Sequence, residues 1–192
     1  MINKCLSFLL DLIKVLKTDG DVVVLVNALL VLTALIPIIP NLEAFILNDI
    51  FEGFSRLAAW NYSHQPKQPE VYVLHLQIAL YALFHRLYGM YPCNFLSYLR
   101  QHYSARENLP IFSHTVKPMV ETVRMHPLLV TASKDIEIGT ARWKQMSVHD
   151  IVTECAKYSL LECQEMGHRE ELVDQDASNS VQELKKTKLK TI

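Results

Sequence analysis

The chain has few glycines, and the motifs that many enzymes build from glycine are missing. Only 5 of its 192 residues are glycine, and none of them forms a phosphate-binding loop. No serine or cysteine stands in a nucleophile-elbow or Cys/His catalytic signature. The scarcity of glycine, with turn residues clustered at a few places, also disfavours an all-β fold. The sequence therefore predicts a mainly helical protein that is not an enzyme.

A surplus of charge of either sign is missing as well. The 19 lysines and arginines balance 20 aspartates and glutamates, so the formal net charge is −1. Domains that bind DNA or RNA usually carry a basic surplus, because their target is polyanionic. We therefore do not expect nucleic acid among the partners.

The cysteines and histidines lack metal-site spacing. No C-x-x-C or Cys/His zinc pattern is present, which favours free thiols in a reducing compartment for Cys5, Cys93, Cys155 and Cys163. His75 and His85 are ten residues apart on one predicted helix and cannot share a metal ion. His149, Asp150 and Glu154 could share a helical turn, but the two-histidine pattern of zinc hydrolases is missing. The sequence predicts no metal and no cofactor.

Long apolar runs, by contrast, are present. Val22 to Ile39 is long and apolar enough to be a candidate membrane span. Pro37 shortens its straight helical part, Asn27 lies inside it, and Asp21 suits the N-cap of a soluble helix. Two interpretations stay open. We prefer an inner helix of a helical assembly, because the neighbouring segments are apolar yet amphipathic; the alternative is an integral membrane protein with a span near residues 22–39.

The stretch from Val71 to Ser104 predicts two helices joined by a tight turn. Apolar side chains cover most of the first helix, so it must pack on several sides. Gly89 suits a left-handed position after this helix, and Pro92 suits the first turn of the next one. One narrow strip of this first helix lacks large apolar side chains, and it consists of His75, Ala79, Ala82 and Arg86. Such a hairpin is typical of helical-repeat solenoids.

Further helices are predicted on both sides of this hairpin. The earlier ones are Ile2 to Leu16, the apolar segment from Val22, and Asn41 to Trp60 with Asn41 as its cap. A later helix begins near Asn108, and Pro118 should kink it. Residues 128–145 show little periodicity and predict a loop before a last helix at Val148 to Tyr158. The pattern predicts an all-α, HEAT-like helical-repeat domain over residues 1–160 and a charged, disordered tail over residues 161–192.

Several tyrosines and basic residues are candidates for a surface that binds a partner or lipid. Tyrosine and arginine are enriched in interface hot spots, and clustered lysines and arginines attract anionic headgroups. The candidates are Arg86, Tyr88, Tyr91, Arg100, Tyr103, Lys117, Arg124, Arg142 and Lys144. Packing between helices, or an ordinary solvated face, is the alternative interpretation of each.

The string LFHRLYGMYPCNF, Leu83 to Phe95, closely resembles the hamartin family. The runs DVVVLVNALLVLTALIPIIP before it, and VKPMVETVRMHPLLVTASKD and RWK after it, extend the resemblance from about Leu6 to Ser159. Members of this family are scaffold subunits of the tuberous sclerosis complex, and their N-terminal core is a helical-repeat domain. The resemblance therefore implies the fold that the helix pattern predicts.

The resemblance also implies a non-catalytic role. Hamartin partners tuberin, which accelerates GTP hydrolysis by the small GTPase Rheb, and the complex restrains TOR growth signalling at the lysosome. The family core is associated with phosphoinositide membranes and with self-association. The expected protein is a cytoplasmic scaffold, peripheral at the lysosomal membrane, with tuberin and its own copies as partners.

Two departures from the family pattern bear on these partners. Family members carry further repeats before the point that matches Met1, so the solenoid is expected to be truncated on its N-terminal side. They also continue into a coiled coil that engages tuberin, where this chain has a dissimilar segment after Ser159. Tuberin binding through that coiled coil is therefore not expected here, and an uncovered apolar end favours self-association.

Overall fold

The computed structural model describes residues 2–64 and 69–160, in which long helices come first and short ones last. The long helices are α1 (Ile2–Thr18), α2 (Val22–Leu35), α3 (Ala44–His64), α4 (Glu70–Met90) and α5 (Pro92–His102). A 3₁₀ turn, Ile36–Ile38, continues α2. The predicted tail, residues 161–192, lies outside the described residues.

The first four helices pack in two layers. Helix α1 contacts α2 and α3, while α4 contacts α2 and α3, so each helix meets its partner and the equivalent helix of the next pair. The fully buried side chains come mainly from these helices and from α5, among them Leu25, Phe54, Leu80, Phe84 and Phe95. The predicted all-α fold with paired helices is confirmed.

Helix α2 buries only part of its apolar surface. Leu25, Leu29 and Leu32 are fully buried. The opposite side leaves an exposed stripe, defined here as Val23, Val24, Leu30 and Val31. Its beginning is confirmed, because Asp21 Oδ1 accepts hydrogen bonds from the amides of Val23 (2.8 Å) and Val24 (3.2 Å). Within the described residues, no helix combines the length and apolarity needed to cross a bilayer.

Two predicted helix ends are wrong. Helix α3 begins at Ala44, so Asn41 lies too far upstream to cap it. Gly89 does not adopt a left-handed conformation but belongs to α4, which continues to Met90. Glycine is needed there for another reason. A β-carbon on Gly89 would lie 2.6 Å from Cβ of Cys155, so this position allows close approach of another helix.

The predicted kink at Pro118 takes the form of a change in helix type. The chain passes through a 3₁₀ turn (Arg106–Asn108), α6 (Leu109–Ile111), a π-helical turn (Phe112–Val116) and α7 (Lys117–Val120). Pro118 lies in the first turn of α7, where its missing N–H removes no hydrogen bond of that helix.

The predicted loop at residues 128–145 is wrong, because it contains three short helices. They are α8 (Leu128–Thr131), α9 (Lys134–Ile138) and α10 (Thr140–Trp143). Each is too short to show a helical period in the sequence. The predicted last helix is confirmed as α11 (Val148–Ala156), which begins with a capping box between Ser147 and Asp150 and packs against α4.

Candidate functional site

A cluster of buried polar side chains surrounds the turn between α4 and α5. Tyr91 ends one helix and precedes the other, with backbone angles (φ −133°, ψ 53°) that are neither helical nor extended. Its side chain is fully buried, and its hydroxyl donates to the carbonyl of Pro40 at 2.7 Å. Its ring also lies edge-on to Trp143, with centroids 5.8 Å apart. The turn is therefore fixed to the α2–α3 connection on one side and to α10 on the other.

The carboxylate of Glu137 caps the N-terminus of α5 from a different helix. This side chain is fully buried in α9. Its oxygens accept hydrogen bonds from the amides of Cys93 (2.6 Å) and Asn94 (2.9 Å), and from the Asn94 side chain (2.6 Å). A negative group at a helix N-terminus satisfies free amides and complements the helix dipole. Glu137 thus holds α9 on α5.

Arg142 provides the opposite charge at the end of α4. Its guanidinium donates to the carbonyl of Met90 and lies 4.0 Å from the centre of the Trp143 ring. Burial lowers the pKa of Arg142, and the Glu137 carboxylate acts against that shift. A cation at a helix C-terminus satisfies a free carbonyl. The C-terminus of α4 therefore has a cation, Arg142, and the N-terminus of α5 has an anion, Glu137. Each charge has the sign that the helix dipole favours at that end.

The thiol of Cys93 belongs to the same cluster. It donates to the carbonyls of Leu128 (3.2 Å) and Ala132 (3.7 Å), which lie at the two ends of α8. Burial raises the pKa of Cys93 to about 11, and the nearby carboxylate of Glu137 adds to the shift. A neutral thiol is a poor nucleophile and a poor metal ligand. Cys93 therefore serves as a hydrogen-bond donor.

His126 joins the residues after α7 to α4. Its Nδ1 accepts from the amide of Leu128 at 3.1 Å, which leaves Nε2–H to donate to the carbonyl of Gly89 at 3.3 Å. The Tyr88 hydroxyl accepts from the His126 amide (3.1 Å) and donates to the Arg124 carbonyl (2.7 Å). Burial, followed by the charge of Arg142, lowers the pKa of His126 to about 4. The ring is neutral at physiological pH.

A cavity of about 310 Å³ lies between α4 and α11, with α2 at its edge. It is lined by Thr33, Tyr81, Ala82, His85, Arg86, Val152, Cys155, Ala156 and Ser159. The Nε2 of His85 lies 3.1 Å from the hydroxyl of Thr122, and burial lowers the pKa of His85 to about 4. The Nε and Nη1 of Arg86 and the hydroxyl of Tyr81 are buried without a hydrogen-bond partner.

The structure divides the predicted partner or lipid surface. Tyr88, Tyr91 and Tyr103 are buried, so their prediction as surface residues is wrong. Their rings fill the core between helices, as the alternative interpretation had it. Arg86 and Arg142 are partly buried in the cavity wall and at the α4–α5 turn. The exposed residues are Arg100, Lys117, Arg124 and Lys144.

These exposed cations have few anionic neighbours. Lys117 lies 3.7 Å from Glu121 one helical turn away, a surface pair of little strength. Whether the four cations form one binding surface stays a prediction.

Among the described residues, no group of three or more His, Cys, Asp or Glu side chains could hold a metal ion. Asp150 instead accepts from the amide of Ser147 at 2.9 Å.

Sequence reasoning missed Glu137 and named Arg142 only as a candidate for a partner or lipid surface. Glu137 and Arg142 look like solvated charges in KDIEIGTARWK, because nothing local shows that they reach the ends of α5 and α4. Only the flanking motif, in which the turn residues Pro92, Cys93 and Asn94 follow a buried helix, indicated that helix ends lie in the core here. Buried helix ends require partners.

Comparison with known proteins identifies relatives of the whole helical region. A family model described as hamartin, N-terminal domain, matches residues 2–172. Over 150 residues, the chain is 54% identical to hamartin of Homo sapiens, an alignment that covers 78% of this chain and 13% of the relative. Hamartin of Mus musculus is 53% identical over the same length and coverage. The chain thus spans 13% of the length of these relatives.

Solved structures share its fold. The structure of the TSC1 NTD and linker domain superposes with a TM-score of 0.65 at 22% identity, covering 90% of this chain and 49% of that chain. The TSC1 N-terminal domain gives a TM-score of 0.66 at 21% identity, covering 77% of this chain and 43% of that chain. This likeness shows a shared helical architecture.

Proposed function

Because the chain belongs to the hamartin family, we propose that its helical domain is a scaffold module of a tuberous sclerosis-type complex. The observation that carries this proposal is the family match over residues 2–172 together with 54% identity to human hamartin. The resemblance predicted from the string Leu83 to Phe95 is thereby confirmed. In such a complex the domain would support tuberin-dependent GTP hydrolysis by Rheb and so restrain TOR signalling.

The arrangement of the side chains supports a binding role. Charged and polar groups such as Glu137 and Arg142 bond to helix ends, and Cys93 is held as a neutral thiol. The exposed stripe on α2, Val23, Val24, Leu30 and Val31, leaves apolar surface free. Exposed apolar patches of this kind often mark contacts between proteins.

A chimera tests the scaffold role. Residues 2–160 would replace the matching segment of human hamartin, and the chimera would be expressed in cells that lack hamartin. We expect it to co-purify with tuberin and to lower phosphorylation of TOR substrates to the level that human hamartin achieves. The matched control carries Leu83→Pro within the inserted segment. A chimera that binds tuberin and folds, yet leaves TOR activity high, would contradict the proposal.

We further propose that the protein is cytoplasmic and contacts the surface of the lysosomal membrane. The residues that would make this contact are Arg100, Lys117, Arg124 and Lys144. Their exposure supports this, since anionic headgroups attract each nearby cation by about 1 kcal/mol and salt screens the attraction. Flotation with phosphoinositide vesicles should show binding that salt weakens and that four glutamine substitutions remove. Binding that ignores both salt and lipid charge would refute the electrostatic contact.

A further inference from the structure

The cavity between α4 and α11 contains donors that lack an oxygen or nitrogen acceptor among the described residues. Two of the three guanidinium nitrogens of Arg86, Nε and Nη1, are shielded from solvent and have no such acceptor. The hydroxyl of Tyr81, which also lines the cavity, is buried without a partner too. Buried polar groups in folded proteins are nearly always hydrogen-bonded, and a buried charge without a partner is strongly unfavourable.

The neighbouring groups do not neutralise Arg86. The ion pairs found among the described residues join other side chains. The thiol of Cys155 lies beside the Arg86 guanidinium, but a thiol sulfur is only a weak acceptor. Burial raises the pKa of the Cys155 thiol, although the charge of Arg86, its hydrogen bond to this thiol and the charge of Arg142 act against the shift. That thiol is therefore neutral. His85 is neutral as well, because burial lowers its pKa to about 4. Among the described residues, none of the side chains that line the cavity carries a negative charge to compensate Arg86.

The shape of the cavity follows from the packing of α4 on α11. The two helices approach closely at Gly89, where Cys155 occupies the space of a side chain. Arg86 lies one helical turn earlier on α4, beside this crossing. Ala82 and Ala156 are too small to fill the gap that opens there, and the result is a space of about 310 Å³. That volume lies at the lower end of the ~300–1,000 Å³ range of small-molecule sites.

We propose that this cavity binds an oxyanion, a phosphate or carboxylate group, which accepts hydrogen bonds from the Arg86 guanidinium and the Tyr81 hydroxyl. The apolar wall formed by Ala82, Val152 and Ala156 excludes water from one side and strengthens these bonds. An anion is the ligand that fits, because every unsatisfied group named here can donate a hydrogen bond and one of them is charged.

The test is thermal unfolding of the whole chain in sodium phosphate, sodium acetate and sodium chloride at equal ionic strength and pH. Phosphate or acetate should raise the melting temperature in a saturable manner that chloride does not reproduce. Arg86→Met should abolish this shift, and Tyr81→Phe should weaken the binding about tenfold, the loss expected for one charge-assisted hydrogen bond. The matched control, Arg106→Gln, removes an exposed cation outside the proposed membrane surface and should leave the shift unchanged.

Two further variants keep the result decisive if Arg86→Met fails to fold. Val152→Glu places a carboxylate at the cavity wall, so it should raise the melting temperature without added anion and remove the response to phosphate. Ala156→Gln adds bulk without charge, so it should remove the response without that gain. Absence of an anion response in the unaltered chain, or an equal response in Arg86→Met, would overturn the proposal.

The same site could receive its anion from a lipid headgroup or from solution. Vesicles of phosphatidylcholine with and without a phosphoinositide separate these sources. If Arg86→Met loses phosphoinositide-dependent flotation while Arg106→Gln, at an exposed position outside the proposed membrane surface, retains it, the headgroup occupies the cavity. If flotation is the same in both variants while the phosphate response depends on Arg86, the ligand is a free anion. Either pattern supports an oxyanion site, whereas no dependence on Arg86 in either assay refutes it.

Discussion

The first four of the long helices, α1 to α4, and the short helices α8 to α10 are stabilised in different ways. Helices α1 to α4 bury large apolar side chains in two layers, for example Leu29, Phe54 and Leu83. Helices α8 to α10 are four or five residues long and bury little. Isolated helices of that length are unstable in water. Side-chain bonds from Glu137, Arg142 and Cys93 to helix ends hold them in place instead.

This difference teaches where each region is sensitive. The apolar layers respond to lost volume and to breaks in a helix, because burial of area stabilises them. The polar region responds to the loss of single hydrogen bonds and to protonation, because each bond there satisfies a buried group. Substitutions that act by one mechanism should therefore have large effects in one region and small effects in the other.

The largest effect is expected for Leu83→Pro in the apolar layers. Proline removes a hydrogen bond inside α4 and clashes with the preceding turn, at about 3 kcal/mol or more. Loss of the fully buried leucine side chain adds about 2–5 kcal/mol. We expect loss of soluble protein, measured by expression yield and circular dichroism. Leu83→Met, which conserves volume, is the control, and an unchanged melting curve for the proline variant would disprove this packing.

The next effect is expected for Glu137→Ala in the polar region. The substitution leaves the amides of Cys93 and Asn94 unsatisfied and the Arg142 charge less compensated, which should destabilise by about 3–4 kcal/mol. Glu137→Gln keeps one acceptor and should cost about half as much. Urea unfolding and hydrogen exchange of the two amides measure this. Glu121→Ala, at an exposed pair, is the control; equal losses for both alanine variants would contradict the capping role.

A smaller effect is expected where the two regions meet, at Gly89. A methyl group there would overlap Cys155, so Gly89→Ala should destabilise by about 2 kcal/mol, as overpacking does. Gly53→Ala in α3 is the matched control, since its β-carbon would lie 3.6 Å from Leu16 Cβ, an ordinary contact. That variant should gain up to about 1 kcal/mol from helix propensity. Chemical denaturation measures the free energy of unfolding of both variants. An increase in both would mean that α11 can move away from Gly89 at no cost, which would contradict the close packing.

The smallest effect concerns pH and the buried histidines. Burial lowers the pKa values of His85 and His126 from 6.5 to about 4. As the pH falls, the unfolded chain therefore takes up protons at a higher pH than the folded chain does. The contribution of these histidines to stability is thus full above pH 6.5 and is lost as the pH falls towards 4. Each histidine should contribute about 1 kcal/mol of that loss between about pH 7.5 and about pH 5.5.

Unfolding free energies in urea across that range test the pH effect. His126→Gln should reduce the slope of stability against pH, and His85→Gln should reduce it by a similar amount. His149→Gln, at an exposed position, should not change it. An unfolding free energy that rises as the pH falls would contradict the assignment of neutral buried rings.

Much of the fold could be predicted because apolar periodicity is local. Asp21 as a cap, Pro92 in the first turn of α5, and the helices through Val71 to Ser104 follow from residues within one or two turns of each other. Gly89 was assigned to the wrong role, because its function depends on Cys155, far along the chain. The site could be predicted only in part, since Tyr88, Tyr91 and Tyr103 have the composition of an interface but lie in the core.

The sequence by itself determined that the chain forms paired, strongly apolar helices and belongs to the hamartin family. Those properties depend on residue type, period and a characteristic string, all of which are local. Only the tertiary structure decided that Glu137 caps α5, that Arg142 meets the last carbonyl of α4, and that Arg86 lies in a cavity without a partner. The physical reason is that the effect of a charge depends on what surrounds it, and residues distant in sequence supply those surroundings.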